Sequence, residues 1–191
     1  MDDVKLKIEV IKTYRGMPRI EKLNLARRIV KIQKVCFQIK EEELKKEIDR
    51  IINIFSNGTI AVVIATYYGS RNKVLDIGVG SISIDNLLYN DEQKKQYWLN
   101  ELCRATYIDS KLEISPINFV IKAAENVVKE HYKKKGRFIF DKTINLLVEK
   151  KPEIGNPLKL LELYNRKYGF KNMGYPLKWS DSYYYMSKDL N

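Results

Sequence analysis

The chain has 191 residues, of which 45% are hydrophobic and 31% are charged, and its formal net charge is +11. These proportions are typical of a water-soluble globular domain, and no uninterrupted apolar run approaches the roughly 20 residues that a membrane-spanning helix needs. The single histidine, His131, excludes a histidine-rich metal site, and the N-terminal segment has neither a basic leader nor an apolar signal core. We therefore expect one intracellular, cytoplasmic domain that holds no metal ion and contacts no membrane.

The positive charge and the cysteines are weak guides to function. A basic protein, here with a pI near 9.4, attracts anions such as nucleic acid or phosphorylated ligands. The lysines are nevertheless spread along the chain, and the densest basic cluster, 133–137, ends a predicted helix, where cations also complement the helix dipole. Cys36 and Cys103 have no CxxC spacing, so we expect two buried free thiols.

The first half of the chain predicts a strand, two helices and two further strands. Alternating apolar residues indicate a strand over 4–14, and apolar residues at spacings of three and four indicate helices that begin near Arg19 and Lys40. β-Branched and aromatic residues predict strands over 59–68 and 74–84. A short polar loop joins these two strands, so we expect them to pair as antiparallel neighbours.

The second half predicts strands and helices in alternation. The strands cover 97–108, 138–148 and 182–190, and the helices begin at Ser115 and Asn156. Pro116 supplies a first-turn proline after the Ser115 N-cap, and His131 falls on the apolar stripe of the same helix, where we expect edge packing. Only the later strand–helix–strand unit supplies a parallel crossover. The fold class is therefore α/β (α+β), with a mixed, mostly antiparallel central sheet flanked by helices.

Two segments carry a resemblance to a known superfamily. The run Asn156–Gly174, NPLKLLELYNRKYGFKNMG, follows an apolar strand and resembles the closing strand and helix of GNAT-type acyltransferases, which read strand, Asn, helix with Leu-Tyr, then Gly-Phe. The run 120–125, VIKAAE, matches the helix that in this family usually reads Leu-Leu-x-Ala-Ala-Glu. With the order of elements, the resemblance extends from residue 4 to residue 190. It implies a single GNAT-like domain with acetyl-CoA as the cosubstrate.

The resemblance also implies where acetyl-CoA binds. Its pantetheine arm would lie along the main chain of the strand over 97–108, and its pyrophosphate at the N-terminus of the Ser115 helix, where free N–H groups and the helix dipole favour anions. The implied cofactor-binding residues are Leu102, Cys103, Arg104, Lys111, Ser115, Ile117, Asn118 and Asn156. The phosphate loop departs from the family pattern, because Leu112, Ser115 and Ile117 stand where Arg or Gln, Gly, and Gly or Ala are usual.

Two residues are candidates for proton transfer. Tyr164 matches the tyrosine that protonates the departing thiolate of coenzyme A in the family, and the alternative is packing with Leu160 and Tyr168 on one helical line. Glu101 matches the acidic residue that deprotonates the attacking amine, and the alternative is a solvated partner for Arg or Lys. Asn156 is expected to cap its helix, with a cofactor contact as a second role.

The sequence therefore predicts an N-acetyltransferase that moves an acetyl group from acetyl-CoA to an amine of a small molecule or protein by direct attack. The alternative is a catalytically inactive GNAT-like protein whose basic surface binds nucleic acid or a protein, which the altered phosphate loop and the charge favour. A third hypothesis comes from Glu101-Leu102-Cys103-Arg104, which is similar to the Glu-Leu-x-Arg strand of phage relatives that modify DNA bases. The acceptor substrate and the oligomeric state stay open.

Overall fold

The computed structural model describes residues 5–13, 16–69, 74–85, 95–105, 115–135, 140–150, 156–174 and 181–191. The α-helices in these ranges are α1 (Arg19–Phe37), α2 (Leu44–Ser56), α3 (Pro116–Lys135) and α4 (Pro157–Tyr168), and a 3₁₀ turn, Glu41–Glu43, precedes α2. The strands are β1 (Lys5–Lys12), β2 (Thr59–Tyr68), β3 (Val74–Asp85), β4 (Lys95–Arg104), β5 (Phe140–Glu149), β6 (Lys171–Asn172) and β7 (Tyr183–Asp189). None of the described helices is both long and apolar enough to cross a membrane.

The described strands form a seven-stranded sheet in the order β1-β2-β3-β4-β5-β7-β6. The pairs β1–β2, β2–β3, β5–β7 and β6–β7 are antiparallel, whereas β4 and β5 are parallel. This arrangement confirms the predicted mixed, mostly antiparallel sheet and the predicted pairing of β2 with β3. The sequence does not predict β6, because a strand of two residues is too short to give a periodic signal.

The chain divides into two compact units, Met1–Ser83 with Glu101–Ala124, and Ile84–Asn100 with Glu125–Asn191. In the first unit, α1 and α2 pack their apolar faces against β2 and β3. The buried cluster contains Leu25, Ile29, Ile32, Ile51, Phe55, Val62, Ile64 and Val79. On β3, Gly78 lets the first turn of α3 approach closely, since a Cβ atom at that position would lie 3.2 Å from the Cβ of Pro116.

The second unit is organised around β5. Among the described residues, the last bridge between β4 and β5 joins Trp98 and Asn145, whereas β5 continues to pair with β7 as far as Glu149. The Asn145 side chain is fully buried. Its Nδ2 donates to the main-chain oxygen of Tyr97 at 3.0 Å, and its Oδ1 accepts from the Tyr185 hydroxyl at 2.8 Å. One amide therefore links three neighbouring strands.

His131 packs by its edge, as the sequence predicts. Its ring lies T-shaped to the rings of Tyr97 and Phe140, with centroid distances of 5.6 and 5.5 Å. The Tyr97 hydroxyl lies 3.0 Å from Nδ1 of His131. Burial lowers the pKa of His131, and the charge of Lys135 lowers it further. The imidazole is therefore held neutral, with Nδ1 able to accept the Tyr97 hydroxyl hydrogen.

Candidate functional site

The strand β4 contains a residue with a left-handed main chain. Glu101 has a φ of 55°, a conformation that costs a non-glycine residue about 1–3 kcal/mol and persists only where surrounding contacts enforce it. Such a residue also interrupts the alternation of side chains along a strand. The position predicted for a catalytic carboxylate is therefore also a strained position of the main chain.

The Glu101 carboxylate is held by a bidentate ion pair. Arg50, on α2, donates from Nη1 to Oε1 and from Nη2 to Oε2, each at 2.8 Å, and the Glu101 side chain is 13% exposed. Glu47 accepts from Nε of Arg50 at 2.7 Å, which fixes the plane of the guanidinium group. The hydrogen bond with Glu101, and to a smaller extent the one with Glu47, raises the pKa of Arg50 above its already high ordinary value. The guanidinium group therefore stays charged. The structure therefore contains the arginine pairing that the sequence left open as the alternative role of Glu101.

Gln33, on α1, is the second partner of Glu101. Its Nε2 donates to Oε2 of Glu101, and its side chain is 2% exposed. Within the described part of the chain, the Oε1 atom of Gln33 is buried and has no hydrogen-bond partner. Burying an unpartnered carbonyl oxygen lowers the free energy of unfolding, and the hydrogen bond from Gln33 to Glu101 must offset that loss.

Sequence reasoning does not identify Gln33 and Arg50. They lie 68 and 51 residues from Glu101 along the chain, and no local spacing connects them to it. The only local signal is Glu47, three positions before Arg50, which is a common helical ion pair. Arg50 also lines an open groove on α2 together with Glu42, Lys45, Lys46, Asp49 and Asn53. Of these lining residues, Arg50 is the one that is paired with Glu101.

Two thiols lie in the same unit as Glu101. Cys36 and Cys103 are free, as predicted, with Cys103 buried and Cys36 half-buried. A hydrogen bond with the Cys103 thiol lowers the pKa of Cys36 to about 7, helped by the main chain and charge of Arg104. The same contact, together with burial, raises the pKa of Cys103. Leu102 is half-buried and Arg104 is exposed.

The first turn of α3 fits a phosphate in part. Ser115 and Asn118 are half-buried, and the Asn118 N–H donates to the Ser115 oxygen at 3.1 Å. Pro116 has no N–H to offer, and the Ile117 side chain is 8% exposed, so Ile117 has only its main chain available to a ligand. Lys111 lies outside the described residues. The predicted contacts of Ser115, Ile117 and Asn118 with a cofactor stay predictions.

In the second unit, Asn156 caps α4. Its Oδ1 accepts from the N–H groups of Leu158 at 3.0 Å and Lys159 at 3.2 Å, which confirms the expected cap. Tyr164 is half-buried, and its ring lies 6.0 Å from that of Tyr168 and 6.2 Å, T-shaped, from that of Phe170. The aromatic packing proposed for Tyr164 is therefore present. Its role as an acid, and the cofactor contact of Asn156, stay predictions.

Within the described ranges, no three His, Cys, Asp or Glu side chains are arranged to hold a metal ion. No protein-family model matches the chain, and no curated protein matches it.

Solved structures of acetyltransferases are similar to the chain. Arabidopsis thaliana Naa50, in complex with a bisubstrate analogue, is 13% identical, with 97% of this chain and 98% of that chain covered and a TM-score of 0.46. A GNAT family acetyltransferase from Brucella melitensis, in complex with acetyl-CoA, is 10% identical over 97% and 89% of the two chains, with a TM-score of 0.49. Arabidopsis thaliana NAA60 with acetyl-CoA is 13% identical over 96% of each, with a TM-score of 0.46. Each of these TM-scores is below 0.5, so the roles of residues in this chain rest on its own geometry.

Proposed function

We propose that the chain is an acetyl-CoA-dependent N-acetyltransferase that acetylates an amine of a small molecule or a protein. The observation that carries the proposal is the strained residue Glu101 in β4, whose carboxylate is 13% exposed and paired with Arg50. Backbone strain of this kind occurs mostly at functional sites, and a carboxylate with a fixed orientation is a suitable proton acceptor.

Acetyl-CoA supplies a thioester whose acyl carbon a neutral amine attacks. Glu101, directly or through a water molecule, accepts the proton that the amine loses as the N–C bond forms. Tyr164 donates its hydroxyl proton to the sulfur as the C–S bond breaks. The main chain of Leu102, Cys103 and Arg104 holds the pantetheine arm, and the first turn of α3 holds the pyrophosphate. Each positioned proton transfer contributes about 10²- to 10⁴-fold to the rate.

Titration calorimetry with acetyl-CoA tests the proposal. We expect saturable binding with a micromolar Kd, and weaker binding of S-acetylpantetheine, which lacks the pyrophosphate. Mass spectrometry of amine mixtures incubated with acetyl-CoA then identifies the acetylated acceptor. An absence of heat at high micromolar acetyl-CoA would overturn the proposed activity.

The same experiment separates the second candidate function. A net charge of +11 and the buried Pro116 and Ile117 at the start of α3 favour a GNAT-like binding protein without catalysis. Such a protein would give no heat with acetyl-CoA and would be retained on DNA or RNA in a way that weakens steeply with salt.

A further inference from the structure

Hydrogen bonds join four side chains of the first unit and converge on Glu101. Glu47 accepts from Nε of Arg50 at 2.7 Å, and the two terminal nitrogens of Arg50 donate to the two oxygens of Glu101 at 2.8 Å each. Gln33 donates to Oε2 of the same carboxylate. Two helices, α1 and α2, thus fix one side chain of β4, at the residue whose main chain is left-handed.

The two oxygens of Glu101 are not equally occupied. A carboxylate offers about four acceptor positions, two on each oxygen. Oε2 accepts from both Arg50 and Gln33, so its positions are filled, whereas Oε1 accepts from Arg50 alone among the described residues. One acceptor position therefore remains on Oε1.

We propose that Arg50 and Gln33 are positioning residues of the transfer reaction, and that Oε1 of Glu101 is the atom that takes the proton of the acceptor amine. This inference rests on the proposed function. As the amine nitrogen bonds to the acyl carbon, its proton moves to Oε1, the C–S bond breaks, and the thiolate takes its proton from Tyr164. Glu101 then releases its proton to solvent, and Tyr164 takes a proton from solvent, so both residues return to their starting states.

The burial of Gln33 supports a positioning role. A methionine would fill nearly the same volume without burying an unpartnered oxygen, so packing alone does not explain an amide that is 2% exposed. What the amide supplies is the second donor to Oε2, which leaves Oε1 as the reactive oxygen.

Few charged or titratable groups surround this carboxylate among the described residues. Arg50 faces it from α2, with Glu47 behind, and the Cys103 thiol lies two positions along β4 and contacts Cys36 of α1. Arg50 is the cation in direct contact with Glu101. Removing it therefore leaves the carboxylate without its bidentate partner.

The experiment compares Arg50→Met, Arg50→Lys and Gln33→Met with the control Lys46→Met, which removes a positive charge from the same groove. In the part of the chain that the structure describes, no hydrogen bond or ion pair joins Lys46 to Glu101. Initial rates are measured with acetyl-CoA and the acceptor amine found by mass spectrometry, or by acetyl-CoA hydrolysis if water is the only acceptor. We expect kcat to fall about 10-fold or more for Arg50→Met, with the Kd of acetyl-CoA within about twofold of the wild-type value. Arg50→Lys keeps the charge but loses the bidentate hydrogen bond, so it should lower kcat by less than Arg50→Met does.

A double-mutant cycle with Glu101→Gln separates positioning from stability. If Arg50 acts through Glu101, Arg50→Met has no further effect on kcat in the Glu101→Gln background. Equal kcat values for Arg50→Met and Lys46→Met, or additive effects in the cycle, would overturn the inference while the proposed function stands. Wild-type protein that binds no acetyl-CoA overturns the proposed function and this inference with it. If Arg50→Met fails to fold, Arg50→Lys and Gln33→Met carry the same comparison.

Discussion

At the scale of single residues, the two thiols differ in their chemistry. The Cys36 thiol has its pKa lowered to about 7, first by its hydrogen bond with Cys103, while the pKa of the buried Cys103 is raised. Because the thiolate is the nucleophile, we expect iodoacetamide to alkylate Cys36 first, at a rate that rises with pH through about 7. Peptide mass spectrometry of the native protein measures both rates.

Two variants at Cys103 test whether its hydrogen bond lowers the pKa of Cys36. Cys103→Ser keeps a hydrogen-bond donor and should preserve the low titration midpoint of Cys36, whereas Cys103→Ala removes the donor and should raise it. Faster alkylation of Cys103, or the same midpoint in both variants, would contradict this account.

The role of the Tyr164 hydroxyl can be tested separately, because the packing of its ring does not decide whether the hydroxyl donates a proton. Tyr164→Phe keeps the contacts with Tyr168 and Phe170 and removes only the hydroxyl. If the hydroxyl protonates the leaving thiolate, kcat should fall by about 10²- to 10⁴-fold with little change in the melting temperature. Tyr168→Phe, on the same helix, is the matched control and should retain activity. Similar small losses in both variants would leave Tyr164 a packing residue.

At the scale of elements, the start of α4 depends on one side chain. Asn156→Ala removes the acceptor for the N–H groups of Leu158 and Lys159, and we expect the free energy of unfolding to fall by about 1 kcal/mol. Asn156→Asp keeps that acceptor and should keep the stability. Denaturant unfolding of both variants measures the difference.

The Asp variant also addresses the predicted cofactor contact of Asn156. If the residue only caps α4, Asn156→Asp binds acetyl-CoA as the wild type does. A loss of affinity in Asn156→Asp at unchanged stability would assign the amide to the cofactor.

The elements were predictable where a local pattern specifies them. Apolar spacing predicts α1, α2 and the long strands, and Ser115 with Pro116 and Asn156 with Pro157 mark the starts of α3 and α4. Within the candidate site, the sequence singles out Glu101 and its strand, and the roles given to them stay predictions. The partners of Glu101 are Gln33 on α1 and Arg50 on α2. A contact between segments that are distant along the chain leaves no pattern in the sequence of either segment.

At the scale of the whole molecule, His131 makes stability depend on pH. The imidazole of an unfolded chain titrates near pH 6.5, and burial lowers the pKa of folded His131 below that value. Below pH 6.5 the unfolded state therefore binds more protons than the folded state. The contribution of His131 is complete above about pH 6.5 and is lost as the pH falls.

We expect the free energy of unfolding to drop between pH 7.5 and 5, and to drop less in His131→Gln, whose side-chain oxygen can still accept the Tyr97 hydroxyl hydrogen. Urea unfolding at the two pH values measures both slopes. Because the other ionisable groups are shared by the two proteins, identical slopes would show that His131 contributes nothing to the pH dependence.

The buried amide of Asn145 bears on how the chain reaches its native alignment. Its donor and acceptor are satisfied by Tyr97 on one neighbouring strand and by Tyr185 on the other. A shift of either neighbour by one position would leave polar atoms stranded in an apolar interior, with no water to replace the lost partner. Sheets in which these strands pair in a shifted register are thus less stable than the native sheet. A single buried side chain therefore helps to specify the native register.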